Sequence, residues 1–473
     1  MKLYNSLTRS LEEFQPLAPP FVGVYVCGPT VYGHSHLGHA KSYVSFDVLV
    51  RYLRFLDYRV RYVQNITDVG HLTDDADSGE DKLIKQARLE RLEPMEVAEK
   101  YTRSYFEDMD ALNVLRPDIS PRASGHIPEQ IALVRRLLET GNAYEVDGFV
   151  YFSVESFPGY GRLSGRKIDD LVAGARVAVD QGKRDPRDFA LWKRASDDHI
   201  LGWDSPWGRG YPGWHLECSA MSNRYIGETL DIHAGGLENI FPHHESEIAQ
   251  SEAANGKPFA RFWLHNNMVT VDGQKMGKSL GNFILLKDIF KRYDPMVVRL
   301  YILRSHYRSP LDFSDEGLDS ARSGMERLVG FRNRISRGAP GEASDQVVLC
   351  CDRAETKFRQ SMDDDMNTPR ALAALFDMVR SGNALLDSSD LPADRTLMAE
   401  IMDRLAGEVL GMDLSGAGAG SRDSDLCALL GETRGVLRSH KLFAEADAMR
   451  DRLDEIGYVV KDLPGGVSEI RKK

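Results

Sequence analysis

Cysteine is scarce in this chain: Cys27, Cys218, Cys350, Cys351 and Cys427 are the only five among 473 residues. An odd, sparse set in so long a chain excludes a disulfide framework and leaves buried thiols, metal ligands or reactive groups. No stretch carries the roughly 18 consecutive apolar residues of a membrane-spanning helix, and the opening MKLYNSLTRSLEEF lacks the apolar core of a secretory signal. A cytoplasmic protein without a membrane partner is the expectation. A basic excess is missing too: the net charge of −11 excludes a general nucleic-acid coat. It leaves room for a local basic surface, and residues 291–310 supply one, with Lys291, Arg292, Arg299, Arg304 and Arg308 against Asp294 alone. Neither a G-x-x-x-x-G-K-[ST] phosphate loop nor an H-E-x-x-H zinc-hydrolase helix occurs, and no internal repeat is visible.

What is present is a full globular composition, 42% hydrophobic and 28% charged. The length calls for two to four domains. Residues 22–27 read as a strand and end in Gly28-Pro29. A Gly/His loop follows, then a helix over 42–56 and a second strand over 60–66. This order predicts a parallel α/β sheet, whose ligand sites lie at the carboxyl ends of its strands. Residues 80–115 read as helical, 125–225 as an insertion of mixed structure, and 229–233 and 262–271 as resumed strands. From about Ser314 one amphipathic helix follows another, with Thr368-Pro369 as a helix start and a further helix over 396–410. The run 415–421 reads as a flexible linker.

Two segments suit an anionic ligand. His36-Leu37-Gly38-His39 sits between strand and helix, where imidazole donors and a helix N-terminus meet a phosphate. Lys275-Met276-Gly277-Lys278-Ser279 places two lysines on a Gly-containing loop. Singly, each also fits a solvated loop. Together they resemble the HIGH and KMSKS signatures of class I aminoacyl-tRNA synthetases, with Leu37 and Gly277 as departures.

A third group is Cys27, Cys218 in Gly-Trp-His-Leu-Glu-Cys, and His243 with Glu247, four apart on one helical face. Two thiols, an imidazole and a carboxylate suit zinc; a buried thiol and an ion pair explain the same residues. Around them, Cys27-Gly-Pro-Thr-Val-Tyr32, Asn65-Ile-Thr-Asp68, Asp231-Ile-His-Ala-Gly-Gly236, Phe241-Pro-His-His-Glu-Ser-Glu247 and the acidic run before Thr368-Pro369 resemble the cysteinyl-tRNA synthetase family over almost the whole chain.

That resemblance implies a Rossmann-like catalytic domain split by an insertion, then a helical bundle and a small mixed tail. The expected divisions are 1–124, 125–225, 226–312, 313–412 and 413–473. It implies one Zn²⁺ held by Cys27, Cys218, His243 and Glu247, which recognises the substrate sulfur. It implies ATP with Mg²⁺ at His36, His39, Lys275 and Lys278, with Lys278 in direct contact. Thr67 and Trp214 are expected in the amino-acid pocket, and Asp231, His233, Gly235 and Gly236 around the adenosine. L-Cysteine, ATP and tRNA(Cys) are the implied substrates, handled by a monomer. Two rivals remain at this point. A cysteine ligase acting on an amino sugar leaves the long C-terminal half unexplained, and a zinc hydrolase lacks its motif.

Overall fold

In the computed structural model, residues 1–72, 81–166, 182–196, 199–277, 280–336, 343–388, 395–415, 421–462 and 468–472 are described. The centre is a four-stranded sheet in the spatial order Ala260–Asn266, Leu230–Gly236, Phe21–Val26, Arg59–Gln64, every neighbouring pair parallel. Val22, Val24, Tyr25 and Val26 are all buried, as a strand covered on both faces requires. The first crossover places Arg59–Gln64 on one side of Phe21–Val26; the later Leu230–Gly236 pairs on its other side. The strand order therefore reverses between Phe21–Val26 and Leu230–Gly236, which is where such sheets open a ligand crevice.

The first helix spans Leu37–Phe55, five residues earlier than its apolar periodicity indicates. The periodicity misses the cap. Gly38 N–H donates to His36 Nδ1 at 3.1 Å and His36 N–H to His39 Nδ1 at 3.3 Å, a reciprocal box built from imidazoles. Residues 80–115 resolve into the helices Lys82–Glu90 and Pro94–Ala111. The apolar run 262–271 divides. Ala260–Asn266 stays in the main sheet, while Val269–Val271 joins Leu311–Phe313 and Gln274–Lys275 in a separate one.

Within the expected insertion lies an antiparallel sheet, Ala143–Val146, Phe149–Phe152, Phe189–Arg194 and Gly210–Pro212 in chain order. Its core includes Phe152, Leu191 and Trp192 and reaches Leu216, Ala220 and Ala249 on the two helices that carry Cys218 and Glu247. The insertion is thus packed against the back of the candidate metal site.

The C-terminal half follows the helical expectation: Asp315–Ser336, Asp345–Asp363, Thr368–Ser388 and Arg395–Met402. The helix expected over 396–410 widens to a π turn at Asp403–Val409, and Leu410 then turns its carbonyl to Arg299 Nε at 2.7 Å. Most of the linker 415–421 lies outside the described residues. The tail is Ser421–Ser439, Phe443–Glu455 and the hairpin Tyr458–Asp462 with Ser468–Lys472. Among the described residues no helix is long and apolar enough to cross a membrane.

Candidate active site

At the reversal of strand order the carboxyl strand ends frame a cavity of about 290 Å³. Cys27, Gly28 and Thr30 follow the first strand, Asn65 and Thr67 the second, and Gly235, Gly236 and Glu238 the third; His36, His39, Trp214, Cys218 and His243 complete the wall. The approach of the first two strand ends is close. Gly28 N–H donates to Asn65 Oδ1 at 2.7 Å, and a Cβ on Gly28 would lie 1.6 Å from the Asn65 carbonyl oxygen. Gly28→Ala is therefore expected to push these strand ends apart and cut catalytic efficiency by at least about 100-fold, as ångström-scale misplacement does. Steady-state kinetics on the purified variant checks this.

On one side of the cavity stand His36 and His39, stacked with centroids 3.7 Å apart. Both Nδ1 atoms accept backbone N–H bonds, so each neutral ring carries its proton on Nε2. A helix N-terminus with two such imidazoles is an anion site. Residues 283–286, downstream of the strand that carries Lys275, dock here: Leu37 N–H donates to Ile284 O at 3.1 Å, Leu286 N–H to Ser35 O at 3.0 Å, and Phe283 sets its ring against His36. Lys275 itself is exposed on the strand Gln274–Lys275 and does not line the cavity. Lys278 lies outside the described residues.

On the other side is a cluster that could hold a metal ion. One potential ligand atom from each of Cys27, Cys218, His243 and Glu247 lies within 4.8 Å of all the others, and all four residues are buried. A tetrahedral zinc site needs ligand separations of about 3.3–3.8 Å. His243 Nε2 stands 3.0 Å from Glu247 Oε1 and Cys27 Sγ 3.9 Å from it, so small side-chain adjustments would close the shell. The helix His243–Asn255 supplies the His243–Glu247 pair one turn apart, as their spacing predicts.

A second set, Cys27, His233, His244 and Glu247, satisfies the same separation. Cys27, Cys218 and His243 of the first set line the cavity, with Glu247 behind them, whereas of the second set only Cys27 does. The two histidines of the second set support the first from behind. His233 Nε2 lies 2.8 Å from Glu247 Oε2, and His244 Nε2 lies 3.1 Å from Cys27 Sγ, with His244 Nδ1 2.8 Å from His265 Nε2. Such contacts fix ligand orientation.

Burial dominates the protonation of this cluster. It pushes the Cys27 thiol up to about 11 and the Cys218 thiol well above its ordinary value. It also holds His243 and His265 down to about 3, and His244 well below its ordinary value. A cation would have to displace the thiol protons. For the imidazoles the sign is set by a folded-state value below the unfolded one. Their contribution to stability is complete above about 6.5 and is lost as pH falls toward 3. The metal-free protein is expected to show a urea midpoint that drops between pH 7 and pH 5, and the metal-loaded protein a steeper drop, because its folded state has also released the two thiol protons.

Thr67 lines the cavity and donates to Glu217 Oε1 at 2.6 Å while accepting from Asn65 Nδ2 at 3.0 Å. Burial raises the Glu217 carboxyl well above the carboxylate range. Trp214 is half-buried, stacked between His71 at 4.1 Å and His243 at 4.4 Å. Gly235 and Gly236 line the wall as expected. Asp231, expected beside them, is engaged near the other end of its strand, where it accepts from Leu17 N–H at 2.6 Å and Gly23 N–H at 2.7 Å. His233 is turned to Glu247. Asp231 and His233 share a strand face with Gly235 but lie nearer the amino end of the strand, away from the carboxyl end that frames the cavity. The sequence reading missed Thr30, His34, His71, Lys82 and Asn239 in the wall. Thr30 lies within a quoted motif and His34 adjoins one; His71 and Lys82 carry no local signal, because only the fold brings them to Thr30.

The family description "tRNA synthetases class I (C) catalytic domain" matches residues 13–323, and "DALR domain" matches 357–415. The chain is similar to the cysteine–tRNA ligase of Chlorobium luteolum, 56% identical over 98% of each chain. It is 55% identical to that of Chlorobaculum tepidum over 100% of this chain and 99% of the relative. To a cysteine–tRNA ligase of Thermus thermophilus it is 51% identical over 98% of each. In fold it is similar to the Mycobacterium tuberculosis methionyl-tRNA synthetase solved in complex with methionyl-adenylate. The TM-score is 0.61 at 16% identity, covering 87% of this chain and 94% of that one.

Proposed function

The chain belongs to the cysteine–tRNA ligase family of class I aminoacyl-tRNA synthetases, and on that premise we propose that it activates L-cysteine with MgATP and esterifies tRNA(Cys). The supporting observation is that one cavity joins a capped helix N-terminus suited to phosphate with two buried thiols and an imidazole, backed by the Glu247 carboxylate, a set suited to zinc. Zinc held by Cys27, Cys218, His243 and Glu247 would supply a soft centre that takes a thiolate and holds a hydroxyl poorly. An apolar pocket alone separates such isosteres weakly.

The chemistry needs no protein nucleophile. A cysteine carboxylate oxygen attacks the α-phosphorus, forming the acyl phosphate bond as the bond to pyrophosphate breaks. The 2′-hydroxyl of the terminal tRNA adenosine then attacks the acyl carbon and AMP leaves. His36 and His39 donate from Nε2 to phosphate oxygens, and Lys275 and Lys278 hold charge as it moves onto pyrophosphate. Gly235 and Gly236 let the adenosine approach the strand end, and Thr67 and Trp214 wall the amino acid. The helices from 313 onward, including the 357–415 region, take the tRNA; an amino-sugar acceptor would give them no task. Unpaired anticodon bases are the part of tRNA that side chains read by stacking and edge contacts.

The experiment is cysteine-dependent ATP–pyrophosphate exchange followed by cysteine transfer to tRNA. Both are expected. Exchange without transfer would remove the tRNA step, and no exchange would remove the activation itself.

A further inference from the structure

In the cavity wall a short relay connects a lysine to a hydroxyl through one imidazole. Lys82 Nζ lies 2.7 Å from His71 Nε2, and His71 Nδ1 lies 2.6 Å from Thr30 Oγ1. The direction of each bond follows from what each group can do. An ammonium has only donors, so His71 Nε2 accepts. The neutral ring then carries its proton on Nδ1 and donates it to Thr30 Oγ1. The Thr30 hydroxyl has one proton of its own, and with the His71 side of the oxygen accepting, that proton is directed to another acceptor. Thr30, His71 and Lys82 all line the cavity.

The relay is rigidly seated. Lys82 N–H donates to His71 O at 3.0 Å, and Asp81 caps the helix Lys82–Glu90 by accepting from Leu83 and Ile84 N–H while also accepting from Gly70 N–H. The Thr30 loop is pinned by Val31 N–H to Thr67 O at 3.2 Å and Thr67 N–H to Pro29 O at 3.0 Å. The face of His71 also carries Trp214, whose ring also stacks on His243.

We propose that His71 and Lys82 are positioning residues that aim the Thr30 hydroxyl into the cavity, where it donates to a carboxylate oxygen of the amino-acid substrate. This rests on the reading of the site as one that activates cysteine. The relay selects an acceptor, so it acts on the carboxylate rather than on the ammonium or the thiol. It orients the oxygen next to the one that attacks ATP.

The test compares L-cysteine with cysteamine, which keeps thiol and ammonium but has no carboxylate. His71→Phe keeps a ring against Trp214 and removes both hydrogen bonds. It is expected to raise the KM for cysteine in pyrophosphate exchange by about tenfold or more, the loss associated with a hydrogen bond to a charged group. The KM for ATP and the inhibition constant of cysteamine should stay within about twofold of wild type. His71→Asn, which can present an N–H in place of Nδ1–H, should recover most of the cysteine loss. If His71→Phe does not fold, Lys82→Met should raise the cysteine KM in the same selective way and Lys82→Arg should restore it. An unchanged cysteine KM, or cysteamine weakened as much as cysteine, would overturn the proposal. Wild-type protein without any cysteine-dependent exchange would instead remove the reading it rests on.

Discussion

Replacing Cys218 by serine is expected to abolish cysteine activation while leaving ATP binding in place. Cys218 is buried on the helix Trp214–Tyr225, facing the cavity beside Cys27 and His243. Serine is close in size, so packing barely changes. A hydroxyl is, however, a far poorer ligand than a thiolate for a soft cation. The loss of a metal–substrate contact worth several kcal/mol corresponds to about a 10³-fold fall in kcat/KM for cysteine. The His36 and His39 side of the cavity is untouched, so the KM for ATP is expected to change by less than about threefold. Metal content by mass spectrometry and exchange kinetics check both halves. Metal retained at full occupancy with normal cysteine activation would place the recognition of sulfur elsewhere.

Asp47→Ala is expected to be among the most destabilising single changes in the chain. Asp47 and Arg299 are both fully buried and form an ion pair. Asp47 also accepts from Arg51 Nε at 2.8 Å and Leu115 N–H at 2.8 Å. Arg299 donates to the carbonyls of Leu410 at 2.7 Å and Leu112 at 2.8 Å. The pair joins the helix that His36 caps to Pro295–Leu303 and to the end of the π turn. Removing Asp47 leaves a guanidinium charge with carbonyl partners only, which costs about 3–5 kcal/mol. Urea denaturation should show that loss. The double variant with Arg299→Met should recover part of it, because the uncompensated charge is gone. A single-variant loss under about 1 kcal/mol would contradict this account of the joint.

The parallel strands were legible in the sequence because buried β-branched runs ending in glycine have few other uses. The quartet Cys27, Cys218, His243 and Glu247 was legible only in part. The four-residue spacing of His243 and Glu247 places them on one helix face, but nothing local brings two distant cysteines to that face. The family resemblance carried that step. Three features were illegible for physical reasons. The imidazole capping box hides the true start of Leu37–Phe55, since histidine is an unusual cap. His233 and His244 stand close in sequence to pocket glycines and a candidate ligand, and only the depth of His233 along its strand and the rotation of the helix His243–Asn255 put them in the second layer. Arg299 reads as one more cation in a basic stretch, and its burial depends on Asp47, 252 positions away.

The most direct measurement of the central claim is the optical spectrum of the cobalt(II)-substituted protein titrated with L-cysteine and, separately, with L-serine. The account predicts thiolate-to-cobalt absorption from Cys27 and Cys218 in the protein alone, a further increase on adding cysteine, and no increase with serine. A protein that takes up no cobalt, or whose spectrum responds equally to both amino acids, would contradict it.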